Sequence, residues 1–124
     1  MSAVIGLGLD AVEVERFRRV LARTPRVATR LFTEGEQAYG ARFADPAPRL
    51  AARFAAKEAT MKALGVGLGA FDFRDVEVRT AADGSPSLRL SGRAAALAGE
   101  RGVTALRVSI THTDHLAEAV VAAL

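Results

Sequence analysis

The chain opens on an apolar run, AVIGLGLD over residues 3–10, that stops at an acid and predicts a short buried strand. From about Val12 to Ala22 the period changes. Val14, Phe17, Val20 and Leu21 recur at the spacing of one helix face, with Arg16, Arg18, Arg19 and Arg23 opposite. Pro25 ends this helix or begins the next. Thr33 followed by Glu36 has capping-box spacing and starts a short helix. ADPAP, residues 44–48, is a break, and Pro46 or Pro48 suits the first turn of a long helix running to about Leu64. Gly65, Gly67 and Gly69 then end it. DVEVR and SLRLS alternate apolar and polar positions around AADGSP, which predicts a hairpin with Asp83-Gly84 at its tip. Ser91 is placed to cap a helix through about Arg101, closed by Gly102. Two last strands, ALRVSITH and HLAEAVVAAL, join around Thr113-Asp114-His115. The order β-α-α-α-β-β-α-β-β predicts an α+β fold: one domain over 1–124, with a long central helix and a largely antiparallel sheet.

The long helix carries the chemistry. On a helical wheel, RFAAKEATMKALG over residues 53–65 places Phe54, Met61 and Leu64, with Leu50 before them, in a bulky apolar stripe. Ala55, Ala56, Ala59 and Ala63 make a smooth face that permits close approach of another backbone or a ligand. Glu58 and Lys62 fall between the two, and Lys57 falls within the stripe, one turn after Arg53. An i, i+4 ion pair accounts for Glu58 and Lys62 as neighbours. It does not account for charges set among small and apolar positions, where burial without a partner is costly. A carboxylate with cations one turn to either side suits a metal ion plus a polyphosphate, and hard oxygen ligands favour Mg²⁺.

Other candidates have two readings each. Asp10, at the end of the first run, either caps the following helix or supplies a second carboxylate to a site. GLGLDA satisfies G-x-G-x-x-A, but helix follows where a dinucleotide fold needs a second parallel strand. His112 continues the inward alternation Leu106, Val108, Ile110 and is either a core-edge histidine or one directed into a cleft. No serine stands in a nucleophile-elbow context.

Composition narrows the classes further. The chain has no cysteine, which excludes disulfides, thiolate metal sites and a thiol nucleophile. No apolar run is long enough for a membrane span, and the start lacks the basic region of a signal peptide, so a cytoplasmic protein is expected. The 17 Lys and Arg against 14 Asp and Glu give a net charge of +3, suited to an acidic partner or a phosphate-bearing ligand. With one Tyr and no Trp, stacking platforms for single-stranded nucleic acid are scarce, so no nucleic-acid partner is expected.

GLGLD, RFAAKEATMKALG and VSITHT, together with LFTEGE and the FxDVEV strand, resemble in order the holo-acyl-carrier-protein synthases, the small single-domain 4′-phosphopantetheinyl transferases. The signature acids, lysines and histidine are intact; ARFADPAPR matches no motif of the family. The resemblance implies transfer of phosphopantetheine from coenzyme A to a serine of an apo acyl carrier protein, in fatty-acid or also polyketide synthesis. It implies that Asp10 and Glu58 hold Mg²⁺ with the CoA diphosphate, and that Lys62 contacts the phosphates. It places Arg53 and His112, with Thr113 and Lys57, at the cofactor, the first two near the 3′-phosphate. It further implies a homotrimer with active sites between subunits. Arg16, Arg23 and Arg26 then suit the acidic helix of a carrier protein. A basic binding module, or a carrier-binding subunit without activity, are the competing readings.

Overall fold

The computed structural model describes residues 3–124; Met1 and Ser2, the first residues of the expected domain, lie outside the described residues. The elements run β1 (Gly6–Glu13), α1 (Val14–Arg23), α2 (Arg26–Leu31), α3 (Glu34–Gly40), α4 (Ala47–Ala63), a 3₁₀ turn (Phe73–Asp75), β2 (Val76–Thr80), β3 (Pro86–Leu90), α5 (Gly92–Glu100), β4 (Leu106–His112) and β5 (Leu116–Ala123). The fold is α+β and every strand pairing is antiparallel. There is one helix more than expected, because the chain after Pro25 winds into α2. The strands form two sheets, β1-β5-β4 and the β2-β3 hairpin. Among the described residues no helix is long and apolar enough to cross a membrane.

Helix α4 is the axis. Its bulky stripe and its alanine face pack on different neighbours, as two sizes of side chain require. Leu50 joins Val14, Phe17 and Phe32 in one cluster, and Met61 and Leu64 join Phe71, Val76 and Leu97 in another. Ala55, Ala56, Ala59 and Ala63 meet the sheet through Ala119, Val121 and Ala123 of β5. β1 comes closest. A Cβ added at Gly8 would lie 1.8 Å from the Ala59 carbonyl oxygen, and one at Gly6 1.8 Å from that of Ala63. The smooth face of α4 is therefore covered by the glycines of β1, which explains GLGLD without any nucleotide.

This contact corrects the first strand. It was expected as a buried strand over 3–10 with a helix from Val12; β1 instead runs to Glu13 and only its glycine face is inward. Leu7 and Leu9 point out, 66% and 63% exposed. Asp10 sits within the strand opposite Ala119, so it caps nothing, and α1 begins without a side-chain cap. We expect Gly8→Ala to destabilise the fold by at least the ~1–3 kcal/mol of an overpacked core, read as a lower denaturation midpoint. Gly67→Ala, where an added Cβ meets nothing within 4 Å, serves as the neutral control; equal midpoints for the two variants would contradict the close approach.

The local signals at helix starts fare unevenly. Thr33 and Glu36 form the expected reciprocal capping box. Ser91 precedes α5 but gives no side-chain cap; the Asp75 carboxylate accepts from Arg93 N–H at 3.1 Å instead. The Asp83-Gly84 tip is as expected, with Gly84 at φ +89°.

Candidate active site

Glu58 stands on α4 where the alanine face gives way to the bulky stripe, and Asp10 stands on the inward face of β1. The close approach of β1 to α4 brings the two together. Burial, then the charge of Asp10, raises the Glu58 pKa, and the Lys62 ammonium opposes both. Lys62 reaches back over β1 and donates to the Leu9 carbonyl at 2.8 Å and to Asp10 Oδ1 at 3.2 Å. The expected i, i+4 pair is replaced by this bridge between elements, because the neighbouring strand offers a carbonyl as well as a carboxylate. Glu58 has no ion pair among the described residues, so a half-buried carboxylate is left facing a second one.

That arrangement suits a divalent cation. A cation between the two carboxylates would relieve the repulsion that Asp10 exerts on Glu58. No group of three or more His, Cys, Asp or Glu side chains that could hold a metal occurs among the described residues. The protein thus offers two oxygen donors rather than a cage. This fits Mg²⁺, which is commonly held by one or two carboxylates while substrate phosphates and water complete its shell.

Two clefts meet at Glu58 and Phe54. One, of about 440 Å³, is lined by Asp10, Arg16, Phe17, Val20, Phe54 and Glu58. The other, of about 400 Å³, is mainly apolar and runs past Lys62 to Met61, Val66, Leu68 and Phe73. A row of rings runs from one cleft to the other: Phe17 in the first and Phe73 in the second each lie 5.5 Å, centroid to centroid, from the shared Phe54. Arg16 therefore joins the carboxylates, whereas Arg23 and Arg26 stay exposed beyond the cleft. Phe73 and the ring row were not anticipated; the FxDVEV motif contained Phe73 without indicating its role.

Arg53 lies elsewhere. Five positions before Glu58, it projects about 140° around the helix from it. It faces a larger cleft of about 790 Å³ between α3, α4 and the β2-β3 hairpin, lined also by Tyr39, Arg42, Arg79 and Thr80. Its Nη2 donates to Thr80 Oγ1 at 2.8 Å and its guanidinium lies 3.8 Å over the Tyr39 ring. His112 ends β4, exposed, and Thr113 uses its hydroxyl within the following turn, accepting from His115 N–H and Leu116 N–H. Neither residue lines any of these three clefts, so one chain does not gather Arg53, His112 and the carboxylates into one site.

Lys57 is a correction. Expected at the cofactor, it is fully buried and its ammonium is spent inside the protein. Nζ donates to Glu36 Oε1 at 2.7 Å, to the Phe73 carbonyl at 3.0 Å and to the Val76 carbonyl. Glu36 in turn accepts from the backbone N–H of Thr33 and of Val78. The pair ties α3, the 3₁₀ turn and β2 to α4 from beneath the site. The sequence signal for the burial of Lys57 was its place in the apolar stripe; its partner Glu36 carries only the capping-box signal.

The chain from residue 6 to 122 matches the model of the 4′-phosphopantetheinyl transferase superfamily. It is 47% identical over 121 residues to a holo-[acyl-carrier-protein] synthase of Frankia casuarinae, covering 98% of each chain. Its structure matches the crystal structure of holo-[acyl-carrier-protein] synthase from Neisseria meningitidis with a TM-score of 0.89 at 30% identity, over 98% of this chain and 99% of that one. The Bacillus anthracis synthase in complex with CoA (3′,5′-ADP) matches with a TM-score of 0.82 at 30% identity, over 98% and 97% of the chains. Sequence and fold agree, and the chain belongs to the 4′-phosphopantetheinyl transferase superfamily, among the holo-acyl-carrier-protein synthases.

Proposed function

We propose that this single-domain chain transfers 4′-phosphopantetheine from coenzyme A to a serine hydroxyl of an apo acyl carrier protein, releasing adenosine 3′,5′-bisphosphate. The observation that carries the reading is the convergence of Asp10, Glu58 and Lys62 where two clefts meet. In the reaction the serine oxygen forms a bond to the β-phosphorus and the bond from that phosphorus to the bridging oxygen breaks. The electron pair leaves with the adenosine bisphosphate, and the serine proton passes to Glu58 or to water. Such transfer depends on in-line positioning and charge neutralisation more than on a strong base. Asp10 and Glu58 would hold Mg²⁺, which when bound supplies charge neutralisation at the diphosphate. Lys62, half-exposed and already oriented by Leu9 and Asp10, places a further positive charge beside those oxygens.

The remaining expected residues fit around this centre. Arg16, Arg23 and Arg26 give the α1–α2 surface the sign that an acidic carrier helix requires. Arg53 and His112, in separate regions of one chain, meet at one cofactor when a neighbouring subunit supplies one of them. The outward sheet face supports such an assembly. Leu7, Leu9, Val120 and Ala122 lie together there, and a monomer rarely exposes a patch of this kind. We take the assembly to be a homotrimer acting in the cytoplasm, where fatty-acid synthesis needs the carrier. Light scattering should return three times the 13.0 kDa chain mass; a monomer at micromolar concentration would rule the shared site out.

Incubation with CoA, Mg²⁺ and apo carrier protein should raise the carrier mass by one phosphopantetheine arm, and chelation should stop it. No mass gain across several carriers would sink the reading. Reversing Arg23 and Arg26, which lie beyond the cleft, to Glu should raise KM for the carrier and leave KM for CoA in place.

A further inference from the structure

Arg53 is held more firmly than a surface cation needs. Its side chain is only 6% exposed, its plane lies on the Tyr39 ring, and Thr80 Oγ1 takes one N–H of Nη2. Its Nε is buried and has no partner. Buried donors are nearly always satisfied, so an orphaned guanidinium N–H beside an open cleft points to an acceptor that arrives with a ligand. The planar fork of arginine matches the oxygens of a phosphate.

The surroundings have the matching sign. Arg42 lies 5.6 Å from the same Tyr39 ring, and Arg79 lines the cleft. The carboxylate in the lining, Glu77, is occupied by the Thr33 hydroxyl at 2.5 Å and by Arg79 Nε at 2.7 Å. Glu36, behind the wall, is committed to Lys57. Tyr39 itself is braced edge-on by Phe43, with centroids 5.3 Å apart, and Arg49 covers the Phe43 ring at 3.7 Å. A ladder of rings and guanidinium groups thus fixes Arg53 without using the donors a phosphate would need.

We propose that Tyr39, acting through its stack on Arg53, is a positioning residue for the 3′-phosphate of coenzyme A and sets the preference for CoA over 3′-dephospho-CoA. The inference rests on the reading above that Arg53 meets that phosphate. In coenzyme A the 3′-phosphate and the diphosphate sit on one ribose, too close together to straddle α4, so the 3′-phosphate reaches the Arg53 cleft of one subunit while the diphosphate lies at Asp10, Glu58 and Lys62 of a neighbouring one. Both the plane of the guanidinium and its desolvation come from the ring, so removing the ring leaves the charge but loosens its aim.

The test compares kcat/KM for CoA and for 3′-dephospho-CoA in wild type, Tyr39→Phe, Tyr39→Leu and Arg53→Gln, with melting curves alongside. Wild type should prefer CoA, Tyr39→Phe should keep the preference, and Arg53→Gln should abolish it. Tyr39→Leu should reduce the preference roughly tenfold, the scale of a desolvated cation–π contact, through KM for CoA and with 3′-dephospho-CoA unaffected. Equal losses on both substrates, or none, in Tyr39→Leu would overturn the role of the ring while leaving Arg53 assigned. A preference that survives Arg53→Gln, or is missing in wild type, would remove the reading itself and the inference with it. If Tyr39→Leu does not fold, Tyr39→Met fills the space without a ring and carries the same comparison.

Discussion

Glu58→Gln is expected to lower phosphopantetheine transfer by about 10²–10³-fold or more, the loss seen when a single group that stabilises transition-state charge is removed, with the fold intact. Glutamine keeps the shape but removes the charge that opposes Asp10. The half-buried Glu58 carboxylate has a raised pKa, chiefly from burial and then from Asp10. An acid whose pKa is raised by folding destabilises the fold once ionised, a penalty present above its folded pKa and absent below its unfolded one. The glutamine variant should therefore melt no lower than wild type at neutral pH, and any advantage should fade as the pH falls through the ordinary carboxylate range. In wild type at sub-saturating Mg²⁺ the acidic limb of kcat/KM should lie above the usual carboxylate pKa, because a protonated Glu58 cannot take the cation, and it should move to lower pH as Mg²⁺ is raised. Near-normal turnover in Glu58→Gln would mean that the carboxylate pair is not the site of charge neutralisation.

Lys57→Met should leave the surface of the site untouched and yet cost about 3–5 kcal/mol of stability, the penalty of leaving one member of a buried ion pair alone. Glu36 would remain 1% exposed with its cation gone, and the Phe73 and Val76 carbonyls would lose their donor. Chemical denaturation measures the loss, and its pH dependence separates it from simple packing. A stranded Glu36 resists ionisation, so the variant should be less stable at pH 8 than at pH 5.5 relative to wild type. Adding Glu36→Gln removes the stranded charge and keeps an acceptor for one of the two backbone N–H groups, Thr33 or Val78, that Glu36 serves through separate oxygens, and should recover part of the stability. A Lys57→Met protein as stable as wild type at both pH values would show that the pair is not a strut.

The two lysines of the signature helix show how far periodicity carries. The wheel placed Lys57 in the apolar stripe and Lys62 at its border, and both positions are as read. What each lysine meets depends on elements distant in the chain. Lys62 finds Leu9 and Asp10, some fifty residues earlier, because β1 packs on α4; Lys57 finds Glu36, because α3 packs against it. Spacing along a helix states which side chains share a face, and says nothing about the partner facing them. The same limit explains Asp10. A cap and a site carboxylate look alike in sequence, and pairing with β5 through Glu13 rules out the cap.

The sequence by itself determined the α+β class, the long helix with its alanine face, the hairpin, the capping box and, through three short motifs, the family. These depend on local periodicity, turn chemistry and motif identity, which are properties of neighbouring residues. Only the tertiary structure decided that the glycines of β1 lie on the alanines of α4, that Lys57 is a buried strut, and that Lys62 meets Asp10. Each of those is a contact between segments far apart in the chain, settled by which small residues allow close approach and which buried charges find a partner.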